Sequence, residues 1–258
     1  MKGILLFAFN NDTTNYYEMA VATAKRANRF LDLPVTVVTD SNSITNTDYK
    51  FDSVILTDAQ TTNTRNNNPW YNKGRYRAYE YTPYDETIIL DTDYLINSNA
   101  LNNIFDLYDD FMCHKNTSLL MKPDTRQEMV SPTSFQTLWA TVIAFRKTDR
   151  TQQIFECLKM VQENYPHYVR LYNIMGAMYR NDYGLTIATR IVNGQVEDNS
   201  MYIPWNLVHL MTDTRIYKIN DTCYNVVQET GKRPEYITIS NTDFHCMDKN
   251  VFMSLVND

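Results

Sequence analysis

Residues 87–90 are an apolar, partly β-branched run, Thr-Ile-Ile-Leu, that breaks into Asp91-Thr92-Asp93 before Tyr94-Leu95-Ile96 resumes it. A short apolar run bounded by polar residues predicts a strand buried on both faces, as in a largely parallel sheet covered by helices. Two carboxylates one residue apart then stand at the strand's carboxyl end, where open α/β sheets take their ligands. Carboxylate oxygens there suit Mg²⁺ or Mn²⁺, and such ions commonly bridge to substrate phosphates. A solvated Asp-rich turn is the competing reading. The strand in front of the triplet is what gives it weight.

The flanking sequence supplies the rest of such a sheet. Residues 3–9 predict a first strand. Asn15 and Glu18 have capping-box spacing, and Tyr17, Ala20, Val21, Ala24, Ala27 and Leu31 keep one helical face apolar up to Pro34. Residues 35–38 and 53–56 follow as strands, so strand, helix and strand within about 35 residues form a βαβ unit with a parallel sheet. Residues 57–68 predict a polar loop over the sheet's carboxyl edge. Pro69 opens a helix that ends before Pro83. On it Lys73 and Arg77, four apart, point together, either as a phosphate-facing pair or as a solvated face paired with Glu80.

Beyond Asp93 the pattern gives a helix near 98–108, a strand at 111–113, a lid or insertion over 116–137 and a strand at 139–145. A helix carrying Ile154, Phe155, Leu158 and Val161 ends by Pro166. Leu171, Ile174, Met175 and Met178 mark a shorter helix closed by Gly184. Residues 185–192, 201–205, 216–219 and 236–239 read as short strands, and a small helix closes the chain. No linker, repeat or low-complexity tract divides residues 1–258. One α/β domain with a smaller mixed C-terminal part is expected.

Composition narrows the function classes. The 258 residues are 43% hydrophobic, enough for a sizeable core, and the net charge of −6 argues against a uniformly basic nucleic-acid binder. The apolar run after Lys2 is too short to span a bilayer and does not resemble a signal peptide. Cys113, Cys157, Cys223 and Cys246 show no paired spacing, so reduced thiols and a cytoplasmic location are expected. Near the end stands Phe244-His245-Cys246-Met247-Asp248-Lys249. A lone histidine is most often a packed residue, and no second cysteine gives zinc spacing.

Taken together, these segments resemble the GT-A fold glycosyltransferases, most closely the retaining, glycogenin-like and bacterial galactosyltransferase-like group. The resemblance runs in order across nearly the whole chain. It implies a Rossmann-like, mostly parallel sheet flanked by helices. It also implies nucleotide contacts from Ala8-Phe9-Asn10, a basic pair at Lys73 and Arg77, and a Mn²⁺ or Mg²⁺ ion on Asp91, Asp93 and His245, with Thr92 on the donor. The His-x-x-x-Lys spacing implies that Lys249 touches the diphosphate. Met247 and Asp248 stand where the family often has Gly. The implied reaction is glycosyl transfer from a nucleotide sugar, UDP-linked by expectation, with retention of configuration. Asn10 and Asp40, after the first two strands, are candidates for uracil and ribose, and Asp40 reads equally well as a turn cap. Asp198, with Glu197 behind it, is the candidate carboxylate under the anomeric carbon, against an exposed loop acid. Asp93 is expected to be an exposed strand-end acid whose removal leaves the fold intact.

The acceptor is less constrained. The Asn- and Tyr-rich, Gly-poor composition looks like that of a phage protein, and hydroxymethylcytosine in DNA is one candidate acceptor. Arg65, Lys73, Arg75, Lys122, Arg126, Arg146, Lys147 and Arg150 would line its groove. Glycan, protein and lipid hydroxyls are the others, though no basic amphipathic helix points to a membrane surface. Two further readings are a sugar nucleotidyltransferase, which Asn10-Asn11-Asp12-Thr13 fits poorly, and a non-catalytic carbohydrate-binding module on a transferase fold.

Overall fold

The computed structural model describes residues 1–58, 63–65, 68–71, 73–119, 122–126, 128–176, 178–212, 214–230 and 233–256, with backbone only at 65, 68, 119, 122–126, 228–230, 233 and 235. Strand β1 (Lys2–Phe7) lies parallel between β2 (Val35–Thr39) and the strand Glu86–Leu90, and β2 carries β3 (Ser53–Leu56) on its outer side. Trp139–Arg146 runs antiparallel between Glu86–Leu90 and Phe111–His114, completing a six-stranded sheet. Its other five strands share one direction. This is the mostly parallel α/β architecture that the apolar runs predict.

Alternation along those runs explains the layers. Ile4, Leu6, Ile88 and Leu90 meet Ala20, Ala24, Ala27 and Leu31 of helix α1 (Tyr16–Leu31) on one face. Leu5, Ile89, Ile143 and Phe145 meet Ile154, Phe155 and Leu158 of the helix Asp149–Glu163 and Leu185 and Ile187 of the helix Asn181–Val192 on the other. Each buried Leu, Ile or Phe among them contributes about 1.5–3 kcal/mol, and the alanines less. Asn15 caps α1 as its spacing with Glu18 predicts, Oδ1 accepting the Glu18 N–H at 3.0 Å. Gly3 is required by its neighbour, because a Cβ there would lie 2.5 Å from the Tyr84 ring.

The structure corrects several local expectations. Pro69 lies in a short strand, Asn68–Pro69, and the helix expected after it is a 3₁₀ turn, Gly74–Arg77, followed by one α turn, Ala78–Tyr81. The helix Asp149–Glu163 does end before Pro166, and that proline then opens the next helix, Tyr165–Leu171, since proline is tolerated in a first turn. Residues expected as a strand at 185–192 belong to the helix Asn181–Val192. Gly184 sits inside that helix, where a Cβ would lie 2.5 Å from the Tyr179 hydroxyl. The 201–205 strand gives way to a 3₁₀ turn, Asn199–Met201.

A second sheet crosses the carboxyl edge of the first. Its order is Lys122–Arg126, Thr117–Leu119, Leu207–Leu210, Phe244–Cys246 and Tyr94–Leu95, the last following directly on Asp91–Asp93. Part of the expected lid at 116–137 is thus sheet, with residues 120, 121 and 127 outside those described. An antiparallel meander of Arg215–Asn220, Cys223–Thr230 and Arg233–Ser240 covers the α1 side, and Lys249–Val256 forms the last helix.

Candidate active site

Asp91 leaves the central sheet with its N–H on the Thr141 carbonyl at 3.0 Å, and the Tyr94 N–H returns to the Asp91 carbonyl at 3.1 Å. That tight turn passes the chain into Tyr94–Leu95, whose antiparallel partner is Phe244–Cys246, with His245 opposite Tyr94. The Cys246 N–H bonds the Asp93 carbonyl at 2.9 Å, so the two segments are locked side by side. Residues separated by 152 positions thereby meet: His245 Nε2 lies 3.1 Å from Asp93 Oδ2 and 4.0 Å from Asp91 Oδ2. One ligand atom from each of Asp91, Asp93 and His245 falls within 4.8 Å of the others. Two carboxylate oxygens and an imidazole nitrogen make a donor set that fits a Mg²⁺- or Mn²⁺-like cation.

Two cations close on the same carboxylates. Lys249, in the first turn of the last helix, is paired through Nζ with Asp93 Oδ2, and Arg75 Nη2 is paired with Asp91 Oδ1. Asp248 caps that helix, its Oδ1 accepting the Asn250 and Val251 N–H groups at 3.0 Å each. Asp93 is only 6% exposed, which corrects the reading of it as a surface acid. Burial alone would raise its pKa, but the Lys249 ammonium and the His245 ring hold it well below the usual carboxylate range. Burial likewise works against the charged forms of His245 and Lys249, and the Asp93 carboxylate outweighs it, raising both. Burial pushes the Cys246 thiol up to about 12, so it stays protonated beside this group.

The other expected residues divide. Lys73 precedes the 3₁₀ turn, and Arg77 ends it. Its guanidinium lies 3.2 Å from Glu80 Oε1 and 4.3 Å from the Tyr81 ring centroid. A 3₁₀ turn advances three residues per turn, so the α-helical pairing of Lys73 with Arg77 does not hold and Arg75 takes the inward position. Arg77, Phe7, Phe9, Thr57, Tyr71 and Tyr81 border a narrow recess at the ends of the first three strands. Ala8 is buried, with its N–H on the Val38 carbonyl at 2.9 Å. The Asn10 amide joins the Ser43 carbonyl at 3.0 Å and the Tyr17 N–H at 2.9 Å, tying the first loop to α1. Asp40 Oδ1 accepts the Ser43 N–H at 2.7 Å, which is the turn-cap reading. Thr92 is buried, and its carbonyl accepts the Thr23 hydroxyl at 2.8 Å.

Asp198 is not brought to this cluster. It caps the 3₁₀ turn Asn199–Met201 through the Ser200 N–H at 3.0 Å and pairs with Arg150 at 2.6 Å. Arg150 also lies 3.7 Å from Asp110, just before the strand Phe111–His114, whereas Asp91 follows the end of Glu86–Leu90. The two strands point the same way, so Asp198 sits at the opposite edge of the sheet. Glu197 is paired with Lys115 and Arg190.

The carboxylate the fold does carry to the site is Asp182, in the first turn of Asn181–Val192. Its Oδ1 accepts the Ala140 N–H at 2.9 Å, while Arg75 Nη1 donates to the Ala140 carbonyl at 2.8 Å and holds Asp91 with its other nitrogen. Asp182 escapes the sequence reading because Gly184 there closes a helix, which puts Asp182 in a last turn, whereas the structure starts a helix at Asn181; an Asp in a helix's first turn is the signal that could have found it. The expected basic groove does not assemble among the described residues. Arg146 pairs with Glu86, Lys147 donates to the Thr82 carbonyl at 2.8 Å, and Arg150 lies with Asp198, all at the far edge. The side chains of Arg65, Lys122 and Arg126 lie outside those described.

No protein-family model and no curated protein sequence matches the chain. Among solved structures it is similar to mouse xyloside xylosyltransferase 1 in its apo form, at 12% identity over 82% of this chain and 89% of that one, with a TM-score of 0.49. It is also similar to the galactosyltransferase LgtC in complex with donor and acceptor sugar analogues, at 16% identity over 73% of this chain and 70% of that one, with a TM-score of 0.47. A third similarity is to the glycosyltransferase GlyE of Streptococcus pneumoniae, at 9% identity over 78% and 44% of the two chains, with a TM-score of 0.40.

Proposed function

We propose that this chain is a cation-dependent glycosyltransferase that takes a sugar from a nucleoside diphosphate donor, UDP-linked by first expectation, and passes it to a hydroxyl with retention of configuration. The observation that carries the reading is the convergence of Asp91, Asp93 and His245 within 4.8 Å, with Lys249 and Arg75 on the same carboxylates. A divalent cation held by the three would supply Lewis-acid neutralisation of the charge on a departing diphosphate. Lys249 and Arg75 lie on the same carboxylates, and in this reading each turns from its carboxylate to a phosphate oxygen. They add fixed positive charge where the leaving group becomes more negative. Asp182, held by the Ala140 N–H at Oδ1 and by Arg180 at Oδ2, 3.2 Å away, is the carboxylate we assign beside the transferred sugar, in place of Asp198.

A glycan or protein hydroxyl is favoured over a DNA base as acceptor. Arg146, Lys147 and Arg150, three of the cations that would grip a phosphate backbone, are held at the opposite edge of the sheet. The test is a panel of nucleotide sugars with Mn²⁺, with Mg²⁺ and with EDTA, read by thermal shift and by release of free nucleotide. Cation-dependent stabilisation by one UDP-sugar with slow UDP release is the expected result. Equal behaviour of every donor with and without cation would sink the reading. Acceptor arms carrying simple glycosides, peptides and hydroxymethylcytosine DNA then separate the acceptor classes, and proton NMR of the new linkage reads its anomeric configuration.

A further inference from the structure

His245 is held at both ring nitrogens. Its Nε2 faces Asp93 and Asp91, and its Nδ1 lies 3.0 Å from Nδ1 of His209. The two histidines are register partners on the adjacent parallel strands Leu207–Leu210 and Phe244–Cys246, with ring centroids 4.9 Å apart. Both are buried, His209 at 5% and His245 at 6% exposure. His209 also packs against Trp139 of the central sheet, ring centroids 5.2 Å apart. His209 is not a member of the three-ligand group.

Hydrogen bookkeeping gives this contact a function. Two ring nitrogens at 3.0 Å make a hydrogen bond only when one donates and the other accepts. A neutral imidazole that presents the Nε2 lone pair to a cation carries its proton on Nδ1. That proton must then be donated, and the only acceptor at Nδ1 among the contacts described for this ring is His209 Nδ1. We infer that His209 is the positioning residue of the proposed cation site: it accepts the His245 Nδ1–H, fixing the tautomer and the ring plane that aim Nε2 between Asp91 and Asp93. The inference rests on the cation reading of that site. Partners of this kind behind a ligating histidine are typically worth about 10–100-fold in metal affinity.

The experiment titrates Mn²⁺ alone into the full chain, reading free Mn²⁺ by electron paramagnetic resonance, for the unsubstituted protein and for His209→Leu, His209→Asn and His209→Gln. Thermal unfolding in EDTA is recorded for each. Asn places its amide oxygen near the former Nδ1, whereas Gln reaches toward the former Nε2. His209→Leu is expected to weaken Mn²⁺ binding by about 10–100-fold, with His209→Asn recovering most of the loss and His209→Gln little of it. Unchanged affinity in His209→Leu overturns the inference, as does equal loss in the Asn and Gln variants. If His209→Leu does not fold, the Asn–Gln comparison decides alone. Absence of Mn²⁺ binding by the unsubstituted chain is a different result: it removes the cation reading itself, and this inference with it.

Discussion

Replacing Asp93 by Asn tests whether the site is a buried electrostatic cluster or a surface turn. The Asp93 side chain is 8% exposed and holds His245, also 8% exposed, and Lys249, 27% exposed. Removing one partner of a buried ion pair typically costs about 3–5 kcal/mol, because the remaining charge is left without compensation. Lys249 keeps some access to water and His245 keeps Asp91 at 4.0 Å, so the loss falls to or just below the lower end of that range, about 2–3 kcal/mol in the metal-free protein. Asp91→Asn is the control. Asp91 is 23% exposed and Arg75 retains its bond to the Ala140 carbonyl, so about 1 kcal/mol is expected there. Urea unfolding in EDTA, followed by tryptophan fluorescence, measures both.

The pH dependence has a definite sign. The Asp93 pKa is depressed in the fold, so its contribution is present above the unfolded carboxylate pKa of about 3.9 and is lost as pH falls further. The unsubstituted and Asp93→Asn curves should therefore converge in acid. Equal midpoints for Asp93→Asn and Asp91→Asn at pH 7 would refute the reasoning and return Asp93 to the status of an exposed turn acid.

Three further outcomes are expected. His114 is fully buried, neither ring nitrogen has a hydrogen-bond partner among the described residues, and burial pulls its pKa down to about 3. The unfolded chain therefore takes up its proton first, and stability falls as pH drops from about 6.5 toward 3, by up to about 4–5 kcal/mol; His114→Phe should flatten that part of the unfolding-midpoint profile. Gly3→Ala should cost about 1–3 kcal/mol by overpacking, since Tyr84 is 2% exposed and its hydroxyl is tied to Thr36 at 2.8 Å; thermal unfolding reads it, and a neutral result would mean that the Tyr84 ring yields. Lys249→Ala should lower turnover of the donor by more than it weakens nucleotide binding, and equal losses in a kcat and Kd comparison would mean that the lysine grips only the ground state.

The central sheet was legible because its signal is local and repeated. Residues 3–7, 35–39 and 86–90 are apolar enough to be buried on both faces, and the α1 stripe has a clean helical period ended by Pro34. Asp91, Asp93, His245 and Lys249 were legible as types in a spacing. The segment from Pro69 to Arg77 was not, because an i, i+4 argument presumes an α-helix, and the 3₁₀ turn rotates Arg75 inward instead of Lys73 or Arg77. Residues 181–192 were misread because Gly184 normally ends helices. Here its missing Cβ makes room for Tyr179, a contact no local pattern encodes.

By itself, then, the sequence determined the order of the central strands and of the helix between the first two, the two-sided burial of those strands and the identity of the acids, the histidine and the lysine. Those follow from hydrophobic periodicity and from residue chemistry, which act over a few neighbours. Tertiary structure alone decided that Asp93 is buried, that Arg75 and Asp182 belong beside Asp91, that Asp198 does not, and that His209 backs His245. Each of these depends on which strands lie side by side and in what register. Pairing across 152 residues, as between Asp93 and His245, is set by the packing of whole sheets and not by any stretch of chain that could be read alone.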